Sequence, residues 1–253
     1  MSLTSLTLKG MRIASRLFLG LPKKVYRWWR ANVRPKLIDY EYTEREVFFR
    51  RAFQALSFNG ITGDYLEFGC AGGMTFSLAY QRSRDYGIRN HLWAFDSFCG
   101  LPPQEKAEDE HPIWQEGLMA MSLEDFKKTC LETGIPSSEF TTVAGFYNQT
   151  LRDNAGMNFP RDVCLVYIDC DLYSSTIAAL EFLTTRLKHG MIIAFDDYYC
   201  WSSTAVSGER KACADYFRNN KEWALHPYVQ FGWHGMSFAV EKRELDGTAL
   251  ATF

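Results

Sequence analysis

Two hydrophobic periods alternate along the middle of the chain. DYLEFG (64–69), HLWAFD (91–96), FTTVAG (140–145), VCLVYID (163–169) and MIIAFDD (191–197) are short apolar runs bounded by turn residues, and each reads as a strand. Between them, MTFSLAYQRSRDYG, SLEDFKKTCLETG and SSTIAALEFLTTRLKHG carry helical spacing, with Gly134 as a stop signal. Strands apolar on both faces, alternating with helices, predict a parallel sheet between two helix layers. Upstream, Val47, Phe48, Ala52, Phe53 and Leu56 form a helical stripe. Thr43 and Glu46 fit a capping box, which places that helix start near Tyr42. Downstream, HPYVQFG and MSFAVEKR, joined by a short glycine-containing turn, predict a closing antiparallel pair.

Composition changes this picture in two places. The 253 residues include seven cysteines, an odd number with no CxxC pair, several of them inside apolar runs. Reduced structural thiols and a cytoplasmic protein are expected. The net charge of −2 hides an uneven distribution: residues 1–38 hold nine Lys/Arg and no acid, leaving 19 basic against 30 acidic residues elsewhere. An acidic body argues against nucleic acid as a partner. The arm 1–39 mixes basic residues with Leu, Phe and Trp. It suits a peripheral contact with an anionic membrane surface, or packing on the body or on a second copy in a homo-oligomer, and Pro22 interrupts its pattern. No run is long and apolar enough for a spanning helix. Residues 40–253 then form one catalytic-sized domain.

In an open α/β sheet, ligands bind beyond the carboxyl ends of the strands. The first strand ends in EFGCAGGMT, where glycines admit a ligand close to the backbone and the next helix start favours anionic groups. A tight strand-to-helix junction needs the same glycines. The second strand ends in Asp96, placed to accept hydrogen bonds from ribose hydroxyls. A nicotinamide fingerprint needs glycine at 71 and 74, where Ala71 and Met74 stand. Glu67 disfavours a pyrophosphate and suits a cationic amine, such as that of S-adenosylmethionine, whose carboxylate would then meet Thr75 and the helix start. The fourth and fifth strands end in Asp169 and Asp171 and in Asp196 and Asp197. Neighbouring strands lie about 4.8 Å apart, so these acids crowd one edge. A hard divalent cation relieves that crowding, and oxygen-only ligands favour Mg²⁺, Ca²⁺ or Mn²⁺. Either pair alone is equally a helix cap or a solvated turn.

LEFGCAGGMT, AFDSFCGLP, VAGFYNQTL, VYIDCDLYSST and GMIIAFDDY occur here in the order of the macrocin-O-methyltransferase-like (TylF-like) family, which the chain resembles from about residue 40 to 240. The resemblance implies a Rossmann-like class I fold with a mostly parallel seven-stranded sheet. It also implies S-adenosylmethionine as methyl donor, Mg²⁺, and an acceptor hydroxyl on a sugar, glycan or phenolic natural product. By position, Asp169, Asp196 and Asp197 resemble the metal ligands and Asp171 the general base. Glu67, Gly69, Cys70, Gly73, Thr75, Asp96 and Ser97 match cofactor-binding stretches, and Phe146 borders the adenine. The Cys70-Ala71 pair departs mildly from the glycine loop.

The mechanism this implies has the cation lower the pKa of the acceptor hydroxyl, Asp171 take its proton, and the oxygen attack the methyl group in line. Residues 101–118 are polar and turn-rich and predict a mobile lid, in which His111 and Trp114 are candidates for touching the acceptor. Ser174, Ser175 and Thr176 are expected to cap the following helix. Two rival readings stand beside this one: an inactive binding protein on the same fold, and a nicotinamide-dependent oxidoreductase.

Overall fold

The computed structural model describes residues 34–151, 158–218 and 220–243, with side chains from residue 40 onward. The basic arm up to residue 33, with the membrane and packing expectations that fall on it, lies outside these residues.

Seven strands form one sheet: β1 (Asp64–Phe68), β2 (Leu92–Asp96), β3 (Phe140–Ala144), β4 (Val163–Ile168), β5 (Ile192–Phe195), β6 (Trp223–Phe231) and β7 (Gly235–Lys242). The order is β3-β2-β1-β4-β5-β7-β6. The first five strands pair in parallel, while β7 pairs antiparallel with both β5 and β6. Among the described residues the α-helices are α1 (Arg34–Phe58), α2 (Met74–Asp85), α3 (Leu123–Glu132), α4 (Tyr147–Thr150), α5 (Tyr173–Leu183) and α6 (Gly208–Arg218). Every strand expected from the hydrophobic pattern is present.

The period-2 alternation sorts side chains between two cores. Leu66, Phe68, Val166, Ile168, Ile193 and Phe195 pack on the α5–α6 side. Tyr65, Leu165, Tyr167, Ile192 and Ala194 pack on the α1–α2 side, where they meet Phe48, Phe49, Phe53 and Leu56 of α1. At about 25 cal/mol per Å² of apolar area removed from water, burial on both faces is the main stabilising term.

The expected start of α1 is corrected. The helix begins at Arg34, and Thr43 sits inside it, not at a cap. Nothing between Lys36 and Tyr42 breaks a helix, and Pro35 falls in the first turn, where a missing N–H is tolerated. Glu46 forms an ion pair at 3.5 Å with Arg82 of α2 instead of closing a capping box. All seven cysteines are free and six are buried, Cys99 being exposed. No helix among the described residues is long and apolar enough to cross a membrane.

Candidate active site

The sheet order reverses between β1 and β4, and a crevice opens there at the carboxyl ends of the strands. It holds a cavity of about 640 Å³, within the usual range for small-molecule sites. Gly69, Ala71 and Gly72 form one wall, Asp96, Ser97, Phe146 and Tyr147 the next, and Asp169, Cys170 and Asp171 the floor toward α5. Lid residues such as Leu101 and Leu118 line it from above, with Met121 just beyond the lid.

Gly69 is obligatory: it has φ +88°, and a Cβ there would collide with the carbonyl of Asp169 on the adjoining strand. Asp96 ties the glycine turn to its own loop. Its Oδ2 accepts the Cys70 N–H at 2.6 Å and its Oδ1 the Phe98 N–H at 2.7 Å. Burial raises the Asp96 pKa, and those two N–H groups oppose the rise. The Ser97 hydroxyl donates to the Gly100 carbonyl at 2.7 Å.

Four residues of the expected cofactor set do not line the cavity. Cys70 is buried, and contributes through its backbone. Gly73 caps α2 with left-handed backbone and faces Phe126 and Thr129 of α3. The Thr75 hydroxyl donates to Glu67 at 2.7 Å. Glu67 has no exposed surface and also accepts the Tyr65 hydroxyl. Burial pushes its pKa up to about 8, against the two hydrogen bonds. Odd-numbered positions of β1 face α1 and α2, so this carboxyl lies behind the glycine turn. It is not among the residues that line the cavity. Ala71, Gly72, Gly145 and Tyr147, none of them in the expected cofactor set, line the cavity instead.

At the acidic edge, Asp171 sits at the centre of a three-residue turn, with the Leu172 N–H bonded to the Cys170 carbonyl at 2.6 Å. Its φ of +62° is costly for a residue with a Cβ. Of the three described non-glycine residues with positive φ, Met119 and Asp171 line this crevice, and Phe98 donates its N–H to Asp96, which also lines it. Strain held at one place is a pointer to function.

Glu209, at the start of α6, was not singled out in the sequence. It has no exposed surface. Its Oε1 accepts the N–H groups of Cys170 and Asp171 at 3.1 and 3.2 Å, and its Oε2 accepts that of Asp197 at 2.8 Å. One carboxylate therefore joins the ends of β4 and β5. Oxygens of Asp169, Asp197 and Glu209 lie within 4.8 Å of one another. Burial, then the charges of Asp197 and Asp169, push the Glu209 pKa well above the usual range. An acid following Gly208, one helical position into a segment whose start is not apolar, carries no local signal; only the fold brings it to Asp169.

Asp196 forms a second close group with Asp197 and His234, their ligand atoms within 4.8 Å of one another. Arg45 of α1 reaches it with Nη2 at 2.6 Å and Nε at 3.0 Å, and the Tyr167 hydroxyl donates to it as well. Burial alone would raise its pKa, but the Arg45 guanidinium holds it below the usual carboxylate range.

The lid segment is docked, not loose. Leu101 and Leu118 close its base through a 3.0 Å backbone bond. Trp114 is buried against Leu172 and Cys200, and His111 stacks on Trp114 with centroids 4.8 Å apart. Neither ring lines the cavity, which displaces both from the acceptor-contact role expected for them. Asp109 accepts the Ser174 N–H at 2.8 Å and the Ser174 hydroxyl at 3.0 Å. The cap of α5 thus comes from the lid, while Ser174 is its partner.

The family model for macrocin-O-methyltransferases (TylF) matches residues 42–236. The chain is 30% identical over 201 residues to the 8-demethyl-8-(2,3-dimethoxy-alpha-L-rhamnosyl)-tetracenomycin-C 4'-O-methyltransferase of Streptomyces olivaceus, covering 76% of this chain and 66% of that enzyme's length. Among solved structures, its fold is similar to that of the calicheamicin methyltransferase CalS11, with TM-score 0.65, 18% identity and 94% of each chain covered. It is also similar to that of the O-methyltransferase NovP, with TM-score 0.63, 20% identity, and 79% of this chain and 80% of that one covered. The fold is that of the class I O-methyltransferases, and the chain belongs to the macrocin-O-methyltransferase (TylF) family of enzymes.

Proposed function

We propose that this chain transfers the methyl group of S-adenosylmethionine to a hydroxyl of a sugar carried by a natural product or a nucleotide. The observation that carries this reading is the single cavity of about 640 Å³ that runs from the Asp96–glycine turn to Asp169 and Asp171. It spans a nucleoside-sized site and an acidic site without a break. The Streptomyces relative acts on a rhamnosyl group, and CalS11 is a TDP-rhamnose 3'-O-methyltransferase, which supports a deoxyhexose acceptor.

In this reading the Asp96 carboxylate accepts from the ribose, through lone pairs left over from its two backbone bonds. Phe146 and Tyr147 border the adenine. The amino-acid end meets the backbone of Gly69–Gly72, since the Glu67 carboxyl is buried away from the cavity. Asp171, held by its strained turn on the cavity floor, takes the acceptor proton. Alignment and exclusion of water by the docked lid supply the rest.

The acidic edge fits a hard divalent cation: its donors are all carboxylate oxygens, and Asp169, Asp197 and Glu209 are close enough to share one ion. When bound, such a cation supplies positive charge that favours loss of the acceptor proton. A binding protein without activity, or a nicotinamide enzyme, leaves the strained Asp171 and the crowded acids without a purpose.

The test is methyl transfer from labelled S-adenosylmethionine to a panel of nucleotide deoxyhexoses, glycosides and catechols, with Mg²⁺ or after EDTA. Calorimetric titration of S-adenosylmethionine and NAD⁺ runs alongside. Transfer to a sugar diol that EDTA abolishes is expected. Transfer to catechols alone would reject the sugar assignment, and NAD⁺ binding without S-adenosylmethionine binding would reject the enzyme class.

A further inference from the structure

The cations of α6 are placed unequally. Lys211 and Arg218 both pair with Asp215, Arg218 at 3.8 Å. Arg210 does not: among the described residues its guanidinium makes no hydrogen bond and no ion pair. It lies instead over three rings of the loop that follows β5, 4.8 Å from the centre of Trp201, 5.4 Å from that of Tyr198 and 5.6 Å from that of Tyr199. A cation in the first turn of a helix works against the macrodipole, so the helix itself gives no reason for this one. A guanidinium engaged through its face keeps its in-plane N–H donors for an anion, in the fork that matches phosphate oxygens. Arg210 and all three rings are half-buried and keep part of their surface in solvent.

The cluster flanks the acidic end of the crevice, three strands along the sheet from Asp96. Arg210 is the chain neighbour of Glu209, and Tyr198 that of Asp197. Cys200, between Tyr199 and Trp201, is buried against Leu172 and against Trp114 of the lid. A Cβ on Gly208 would come within 2.8 Å of the Asp171 carbonyl oxygen. Outside residues 1–38 the chain holds 19 basic against 30 acidic residues, so an anionic acceptor meets repulsion unless a local cation offsets it.

We propose that Arg210 is a specificity-determining residue for the acceptor. Its N–H edge binds the diphosphate of a nucleotide-linked sugar whose hydroxyl lies at Asp171, and the three rings hold the guanidinium in place for that contact. This rests on the sugar methyl-transfer reading given above and narrows its acceptor to the sugar nucleotide.

The test uses the full chain and compares methyl transfer to a thymidine diphosphate-linked deoxyhexose with transfer to the methyl glycoside of the same sugar. Free thymidine diphosphate and thymidine serve as competitors. Arg210→Met keeps an apolar stem on the rings and removes the charge. Loss of charge-assisted hydrogen bonds is expected to raise both KM for the nucleotide sugar and the inhibition constant of thymidine diphosphate roughly 10–100-fold. S-adenosylmethionine affinity and kcat/KM for the methyl glycoside are expected to stay within about twofold of wild type. Arg210→Lys keeps the charge without the fork and is expected to recover part of the loss. An equal change for both acceptors in Arg210→Met would make Arg210 a brace for its loop and overturn the subsite. A wild type that methylates the methyl glycoside, and that thymidine diphosphate inhibits no better than thymidine, would overturn the subsite and leave the methyl-transfer reading standing. A wild type that methylates neither sugar would overturn that reading and this inference together.

Discussion

Glu67 and Glu209 are both fully buried glutamates at the carboxyl edge of the sheet, and burial raises the pKa of each. They do opposite things. Glu67 is closed off by two hydroxyls, those of Tyr65 and Thr75, on the α1–α2 side of β1. Its neighbours are side chains, it lies outside the cavity, and it packs under the glycine turn. Glu209 accepts three backbone N–H groups from two different strand ends, next to Asp169 and Asp197. A carboxylate that gathers main-chain donors sets the position of the loops themselves. The difference teaches that a buried acid near a site is read from what it binds: hydroxyl partners mark a structural plug, and amides beside other carboxylates mark a built site.

The largest effect expected from this contrast falls on the strained turn that Glu209 holds. Asp171→Asn is expected to lower kcat by about 10²–10⁴-fold while S-adenosylmethionine affinity, read by calorimetry, stays within a few-fold. Unchanged turnover would remove Asp171 as the base. The same conservative change at the two glutamates then separates them. Glu209→Gln replaces one acceptor oxygen with a donor that faces a backbone N–H, so the two acidic loops lose their common anchor. Its kcat is expected to drop roughly 10–100-fold, as for a lost outer-shell partner.

Glu67→Gln is expected to leave turnover near wild type and to alter stability with pH. The folded carboxyl holds its proton up to about 8, against an ordinary value of 4.5. Its contribution to stability is thus fully present below 4.5 and is lost as pH rises through about 8. The glutamine variant has no such loss. Chemical denaturation should show the two proteins alike near pH 4.5 and the variant more stable, on the order of a few kcal/mol, above pH 8. Equal pH dependence in both would mean that Glu67 is ionised in the fold.

That contrast also marks how far the sequence could be read. All seven strands and the placement of Asp96, Asp169 and Asp171 on the cavity followed from apolar runs ending in acids, because period-2 patterning and strand ends are local properties. Glu67 turns to the α1–α2 side of the sheet, which the sequence did not announce. Its position at a strand end was right, but which face of β1 it takes depends on α1 and α2, which the strand cannot announce. Arg45 and Glu209 were missed for the same reason: each lies on a helix remote in sequence from the acids it meets. The start of α1 slipped because a capping pair occurs by chance inside a helix whose true beginning is upstream.

Asp96 offers the next smaller effect. Asp96→Ala removes the acceptor for Cys70 and Phe98 N–H groups together with the proposed ribose contact. A hydrogen bond to a charged group contributes about 1.5–3 kcal/mol. S-adenosylmethionine affinity is therefore expected to fall roughly 10–100-fold, with Mn²⁺ binding at the far edge unchanged. A parallel fall in Mn²⁺ affinity would show that the two ends of the crevice are one unit.

The smallest effect tests the docked lid. Asp109 caps α5 through the Ser174 N–H at 2.8 Å and takes the Lys106 N–H at 3.2 Å, so one carboxylate ties the lid to the helix that follows Asp171. Replacing a capping carboxylate with alanine costs about 1 kcal/mol. If the lid must open to admit an acceptor and shut over it, Asp109→Ala shifts that balance toward open by the same amount. KM for the acceptor should then rise about fivefold. Because Trp114 stays buried against Leu172 and Cys200, a full loss of activity is not expected, and Tm should change by only a few degrees. A KM unaltered in Asp109→Ala, with the same small fall in Tm, would mean that the segment is a fixed wall of the cavity and that the acceptor enters past other residues.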